Sequence, residues 1–158
     1  MLRSRAMHVH GDAFRAMVKA TVGAGEGGYR DGATINEADA RAVLGICALV
    51  AGADDKADAD EDSVLGELAG HLGPTVPDVR ANDDLERLEK IREIGGELSA
   101  QGVRELAYAC AYVVAIADLE LAPAESEFLA DLAVALGVSD ARADELAAVC
   151  AQAVTPPA

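Results

Sequence analysis

Apolar side chains along this chain recur every three to four residues, which is the spacing of amphipathic helices. No long segment alternates apolar and polar residues at a spacing of two, as a half-buried strand would. We therefore predict an all-α fold of six to seven helices in a single domain covering residues 1–158. The predicted helices span roughly residues 12–22, 34–53, 58–72, 83–94, 99–117, 123–136 and 140–151.

Several helix ends carry recognisable signals. Thr34 with Glu37 and Asp58 with Glu61 are capping boxes, in which side chains satisfy free backbone N–H groups at a helix start. Gly73 is placed to end a helix. The segment PTVPDVR, residues 74–80, has two prolines and is the clearest break in the chain.

The helix after this break shows an apolar stripe within the charged run DDLERLEKIRE. The stripe is predicted to face the core, with the charged side chains in solvent. It consists of Leu85, Leu88, Ile91 and Ile94.

An internal repeat becomes visible when the chain is shifted by 64 residues, which lays residues 48–73 over residues 112–137 without a gap. We expect two helix–loop–helix units that pack about a pseudo-two-fold axis, each burying the other's apolar face. The predicted organisation is an N-terminal helix and Gly-rich loop (1–35), repeat one (36–73), a connector with a helix (74–99), repeat two (100–137), and a C-terminal helix and tail (138–158). The identical positions in the first copy are Val50, Ala51, Ala53, Asp54, Glu61, Leu65, Leu68, Ala69, Leu72 and Gly73.

Charge changes the picture of possible partners. The formal net charge is −15 and the pI is near 4.4, so the surface repels nucleic-acid backbones and anionic lipid. It attracts cations and partner proteins with a basic or amphipathic surface. With no apolar run of membrane-spanning length and no secretion signal, we expect a cytoplasmic protein with no membrane span. The cysteines Cys47, Cys110 and Cys150 lie in apolar stretches and are expected to be small core residues.

The repeat singles out four acids as candidate metal ligands: Asp54 and Glu61 in the first copy, Asp118 and Glu125 in the second. In each copy the Asp ends one helix and the Glu lies in the first turn of the next. Hard divalent cations prefer carboxylate and carbonyl oxygens, and a helix C-terminus leaves carbonyls free. The alternative is helix construction, since an acid in a first turn is stabilised by the helix dipole. That alternative explains the two glutamates better than the two aspartates, which lie at the negative ends of helices.

Other local patterns are weaker. The acidic run from Asp54 to Asp62 does not place its residues as an EF-hand loop requires. The loop with Gly23-x-Gly25-x-x-Gly28 follows a helix, so the strand–turn–helix context for binding phosphate is missing. The segment His8-Val-His10 has metal-ligand spacing, but we expect no strand to carry it. No catalytic constellation can be assembled from nearby residues, so the chain is interpreted as non-enzymatic.

Residues 36–146 resemble the TerB-like tellurite-resistance family. The motif is an apolar helix, then Ala-Asp, a short loop, a Glu seven residues after the Asp, and a Leu-rich helix ending in Leu-Gly. AIADLELAPAESEFLADLAVALGVS matches it best, and ALVAGADDKADADEDSVLGELAGHLG is a weaker second copy. The resemblance implies an all-helical domain of two related halves that functions in tellurite or chemical-stress response.

The resemblance also implies divalent-cation binding by the motif acids, which are Asp118 with Glu125 and Asp54 with Glu61 in this chain. The chain departs from the family directly after each aspartate, where the family usually has glycine and this sequence has Asp55 or Leu119. Leu takes positive φ poorly, so the shape of the second loop stays open. Our leading hypothesis is a TerB-like protein that binds Ca²⁺, Mn²⁺ or Zn²⁺. The alternative is a helical interaction or scaffold domain without a ligand.

Overall fold

The computed structural model describes residues 8–9, 21, 37–51, 59–73, 83–98, 101–115 and 123–155. These residues contain six helices, which confirms the predicted all-α class. The predicted helix at 12–22 lies outside the described residues except for Thr21, which is buried in a turn. The helices are α1 (Glu37–Ala51), α2 (Ala59–Leu72), α3 (Asp84–Gly96), α4 (Gln101–Ala115), α5 (Pro123–Leu136) and α6 (Asp140–Ala153).

One short antiparallel pairing accompanies the helices. Strand β1 (His8–Val9) pairs with β2 (Val154–Thr155), so that His8 lies opposite Thr155 and Val9 opposite Val154. The expectation that no strand carries His8 was therefore wrong. A strand of two residues is too short to show a period of two, and its partner is at the far end of the chain.

The helix ends in the described segments are satisfied locally. Asp83 caps α3 by accepting a hydrogen bond at Oδ1 from the backbone N–H of Glu86 at 2.8 Å. Ser139 does the same for α6, its Oγ accepting from the N–H of Arg142 at 3.2 Å. Gly73 and Gly137 follow α2 and α5 with φ of 107° and 72°, a conformation that favours glycine at a helix end.

The core is built around α1 and α4, which pack along each other. Ten of the fifteen residues of α4 are buried, so it is the central helix of the fold. Around this pair, α2 contacts both central helices, α3 packs on α1 and α5, and α6 packs on α4. Many of the buried residues are small, including Ala107, Ala109 and Ala111 of α4, and small side chains allow helices to approach closely.

The buried face of α3 differs from the predicted stripe. Leu85 is 70% exposed, whereas Arg87 is only 3% exposed. Ile91 is buried, and Leu88 and Ile94 pack partly buried against the core, so three of the four predicted positions are confirmed, and the burial of Arg87 and Gly95 adds to them. A Cβ at Gly95 would lie 2.9 Å from Leu136 Cδ2, so α3 and α5 approach each other closely at this position. The predicted stripe was wrong for Leu85 alone.

The helix bounds repeat along the chain. Each bound of α1 and α2 recurs 64 residues later in α4 and α5 (37 and 101, 51 and 115, 59 and 123, 72 and 136). The burial order repeats as well: residues 43–50 and 107–114 each show five buried positions, one partly buried and two buried. The glycines with positive φ, Gly73 and Gly137, are also 64 residues apart. The shift found in the sequence is therefore present in backbone conformation and in burial.

Candidate functional site

The four predicted ligands fall at the edge of what the structure describes. Asp54 and Asp118 lie outside the described residues, as do Asp55 and Leu119. Glu61 and Glu125 are each the third residue of a helix, in α2 and α5, but their side chains lie outside the described part. Convergence of the four carboxylates on one point therefore stays a prediction.

The backbone nonetheless gives the two copies equivalent positions for these acids. Residues 52–58 separate α1 from α2, and residues 116–122 separate α4 from α5, which is seven residues in each copy. In each copy the aspartate is the third residue after the first helix, and the glutamate is the third residue of the second helix. Both pairs of helices pack on each other. The helix bounds thus place the two Asp/Glu pairs at equivalent positions along the chain.

The C-terminal turns of α1 and α4 lack a basic residue, a feature that they share with α3, α5 and α6. No side chain within the last turns of α1 and α4 offsets the partial negative charge of the free carbonyls. Each of these C-termini is followed three residues later by an aspartate. In both copies, a helix C-terminus with partial negative charge is therefore followed along the chain by a negatively charged aspartate.

The three cysteines meet in the core, which their spacing in the sequence did not indicate. Cys47 of α1, Cys110 of α4 and Cys150 of α6 are free thiols with no exposed surface, which confirms that they are core residues. The pKa of Cys110 is raised well above its ordinary value of 9.0, mainly by a hydrogen bond with the Cys47 side chain and secondly by burial. The pKa of Cys150 is also raised, mainly by burial and secondly by the nearby Cys110. The Cys150 thiol donates to the backbone carbonyl of Ala109 at 3.3 Å.

These thiols are poorly suited to nucleophilic or redox chemistry. The thiolate is the reactive form, and the raised pKa values keep Cys110 and Cys150 protonated at neutral pH. Buried cysteines of this kind act as small apolar residues with a weak S–H donor. The cluster therefore packs α1, α4 and α6 together and is not the candidate site.

The glycines at 23, 25 and 28 and His10 lie outside the described residues. Within the described segments, no group of three or more His, Cys, Asp or Glu side chains is arranged to hold a metal ion. The side chains of the four predicted ligands are not among those described.

Comparison with known proteins returns no relative. No protein-family model matches the chain, and no curated protein or solved structure matches it. In the part of the chain that the structure describes, no helix combines the length and apolar character needed to cross a membrane.

Proposed function

We propose that this chain is a non-enzymatic, TerB-like helical protein that binds a divalent cation and acts in tellurite or chemical-stress response in the cytoplasm. Its ligands are the acids of the two repeats, Asp54 with Glu61 and Asp118 with Glu125. The observation that carries the proposal is the recurrence of every helix bound of the first pair after 64 residues.

This recurrence distinguishes the two Asp/Glu pairs from pairs that an acid-rich chain would contain by chance. In a chain with 28 acidic residues, two Asp/Glu pairs at equal spacing would be a weak signal alone. Here each pair also occupies the same position relative to two packed helices and a glycine at the end of the second helix. Repetition of both backbone and acids is what a duplicated site predicts.

The chemistry suits a hard cation. Each copy offers two carboxylates and the free carbonyls of a helix C-terminus, and Ca²⁺ takes about six to eight such oxygens. Neither copy alone supplies that many side-chain oxygens in its Asp and Glu. One shared site between the copies, or two sites completed by backbone carbonyls and water, would each satisfy the cation.

A second candidate function is an interaction or scaffold domain for a partner with a basic or amphipathic surface. Two large apolar side chains are exposed in the described segments, Leu85 of α3 at 70% and Val134 of α5 at 72%. Exposed apolar side chains within an acidic surface are what an amphipathic basic helix would contact.

Calorimetric titration of Ca²⁺, Mn²⁺ and Zn²⁺ separates the two functions. The test variant replaces the four acids with their amides: Asp54→Asn, Glu61→Gln, Asp118→Asn and Glu125→Gln. A control variant makes the same change in charge at exposed acids away from the repeat loops, namely Glu89→Gln, Glu93→Gln, Glu97→Gln and Asp131→Asn. Cation binding should be lost in the first variant and kept in the second. Equal heats for all three proteins would contradict the site and leave the interaction domain.

Variants of one copy at a time then distinguish one shared site from two. A shared site predicts that amides at Asp54 and Glu61 alone abolish binding. Two separate sites predict that the same variant halves the stoichiometry and leaves the affinity of the remaining site unchanged.

A further inference from the structure

A cleft of about 450 Å³ opens between α4, α5 and α6. Its size is that of a small-molecule pocket. The space exists because α5 and α6 present alanines here, including Ala133 and Ala143, where larger side chains would fill it. The lining comes from three helices and is more apolar than polar.

Two tyrosines of α4 line this cleft. The whole chain has three tyrosines and two phenylalanines, so two of its five aromatic rings are at this one place. The rings of Tyr108 and Tyr112 have centroids 6.3 Å apart and are tilted by 38°. The pKa of Tyr108 is raised to about 12, mainly by burial and secondly by the neighbouring Tyr112, so this side chain is uncharged at neutral pH. Neutral aromatic rings attract organic cations through their faces.

The cleft also carries negative charge at one side. Asp140 and Asp144 are exposed carboxylates one turn apart on α6, and both line the cleft. Arg142, which lies between them in the sequence, is directed into other contacts: it pairs with Glu105 at 2.9 Å and with Glu145 at 3.5 Å. The cleft thus combines an apolar floor, two aromatic rings and two carboxylates.

The first copy of the repeat does not have this chemistry. The residues 64 positions before Tyr108 and Tyr112 are Leu44 and Ala48, although their burial is the same. The packing of the repeat therefore does not require tyrosine at these positions. The aromatic side chains are a feature of the second half alone.

We propose that this cleft binds a small organic ammonium ion with an apolar body, its charged head toward Asp140 and Asp144 and its body against the tyrosines and alanines. A strongly hydrated divalent cation would gain nothing from the apolar part of this lining, so the class of ligand differs from the one proposed for the repeat acids. The inference does not depend on the divalent-cation site, and either can fail without the other.

The test compares three ligands with the same six-carbon tail: hexylammonium, 1-hexanol and hexanoate. The chain has no tryptophan, so the fluorescence comes from three tyrosines, two of which line the cleft, and EDTA in the buffer keeps divalent cations out of the titration. Hexylammonium should change the fluorescence at the lowest concentration, 1-hexanol at a higher one and hexanoate at the highest. An affinity for hexanoate equal to that for hexylammonium would overturn the proposal.

Two double variants locate the effect. Asp140→Asn with Asp144→Asn should weaken hexylammonium binding roughly fivefold, the scale of partly exposed ion pairs, and leave 1-hexanol unchanged. Glu89→Gln with Glu93→Gln removes the same charge from α3 and should leave both affinities unchanged. Helical circular dichroism checks that each variant is folded. Equal weakening by both double variants would show a general charge effect and contradict the site.

Discussion

Gly95 offers the sharpest test of the packing that places α3 against α5. It is a buried helical glycine, and an added Cβ would lie 2.9 Å from Leu136 Cδ2 and 3.9 Å from the Ala135 carbonyl oxygen. Leu136 is itself 1% exposed, so its side chain has little room to move away. Gly95→Ala should therefore strain the contact between the two helices.

Two other glycines give the matched controls. At Gly66 a Cβ would meet nothing within 4 Å, and at Gly45 it would make an ordinary contact of 3.7 Å with Ile94 Cδ1. Replacing a helical glycine with alanine gains about 0.5–1 kcal/mol from backbone entropy. Overpacking a well-packed core costs about 1–3 kcal/mol. Gly66→Ala and Gly45→Ala should each raise the free energy of unfolding, whereas Gly95→Ala should lower it by about 1 kcal/mol.

Urea denaturation followed by circular dichroism measures all three variants on one scale. The difference between Gly95→Ala and Gly66→Ala isolates the contact, because both carry the same change in helix propensity. If Gly95→Ala were as stable as Gly66→Ala, the close approach of α3 and α5 would be refuted.

Three further predictions concern helix ends, thiols and an ion pair. Gly137→Ala should lower the unfolding free energy by about 1–2 kcal/mol, because φ is 72° there, and Gly73→Ala should act in the same direction. Asparagine tolerates positive φ better than alanine, so urea denaturation should show a smaller loss of stability for Gly137→Asn than for Gly137→Ala. Because the pKa of Cys150 is raised from 9.0 in the folded state, the unfolded chain loses this proton first as pH rises, so the contribution of this thiol to stability should be constant below about pH 8.5 and be lost as pH rises above 9. The slope should reach about 1.4 kcal/mol per pH unit for each such thiol and be shallower in Cys150→Ala; urea midpoints at pH 7–11 that show no such difference would contradict the sign. The pair of Arg142 with Glu105, partly buried at 2.9 Å, should show a coupling free energy of about 1 kcal/mol in a double-mutant cycle, and a value near zero would make it a surface contact only.

Much of the fold could be predicted because its signals are local. Helical periodicity predicted the helical class, and Gly73 and its later equivalent Gly137 ended the helices at which they were placed. The repeat was readable because the same residue types recur at the same helix positions. The cysteines were expected in the core because their neighbours are apolar, and the structure confirms this.

The failures concern contacts between distant segments. The exposure of Leu85 and the burial of Arg87 follow from how α3 packs on α1 and α5, and no periodicity in α3 alone contains those contacts. The pairing of His8 with Thr155 joins the two ends of the chain. The cleft lined by Tyr108 and Tyr112 was missed for the same reason, since alanines on two other helices create its space. The one available signal was the appearance of two tyrosines in the second copy only.

Anomalous scattering from Mn²⁺ soaked into crystals tests most directly whether the acids of the two repeats bind a divalent cation. We expect an anomalous peak bonded to carboxylate oxygens of Asp54 and Glu61, of Asp118 and Glu125, or of both pairs. A peak elsewhere on the acidic surface, or none at saturating Mn²⁺, would contradict it.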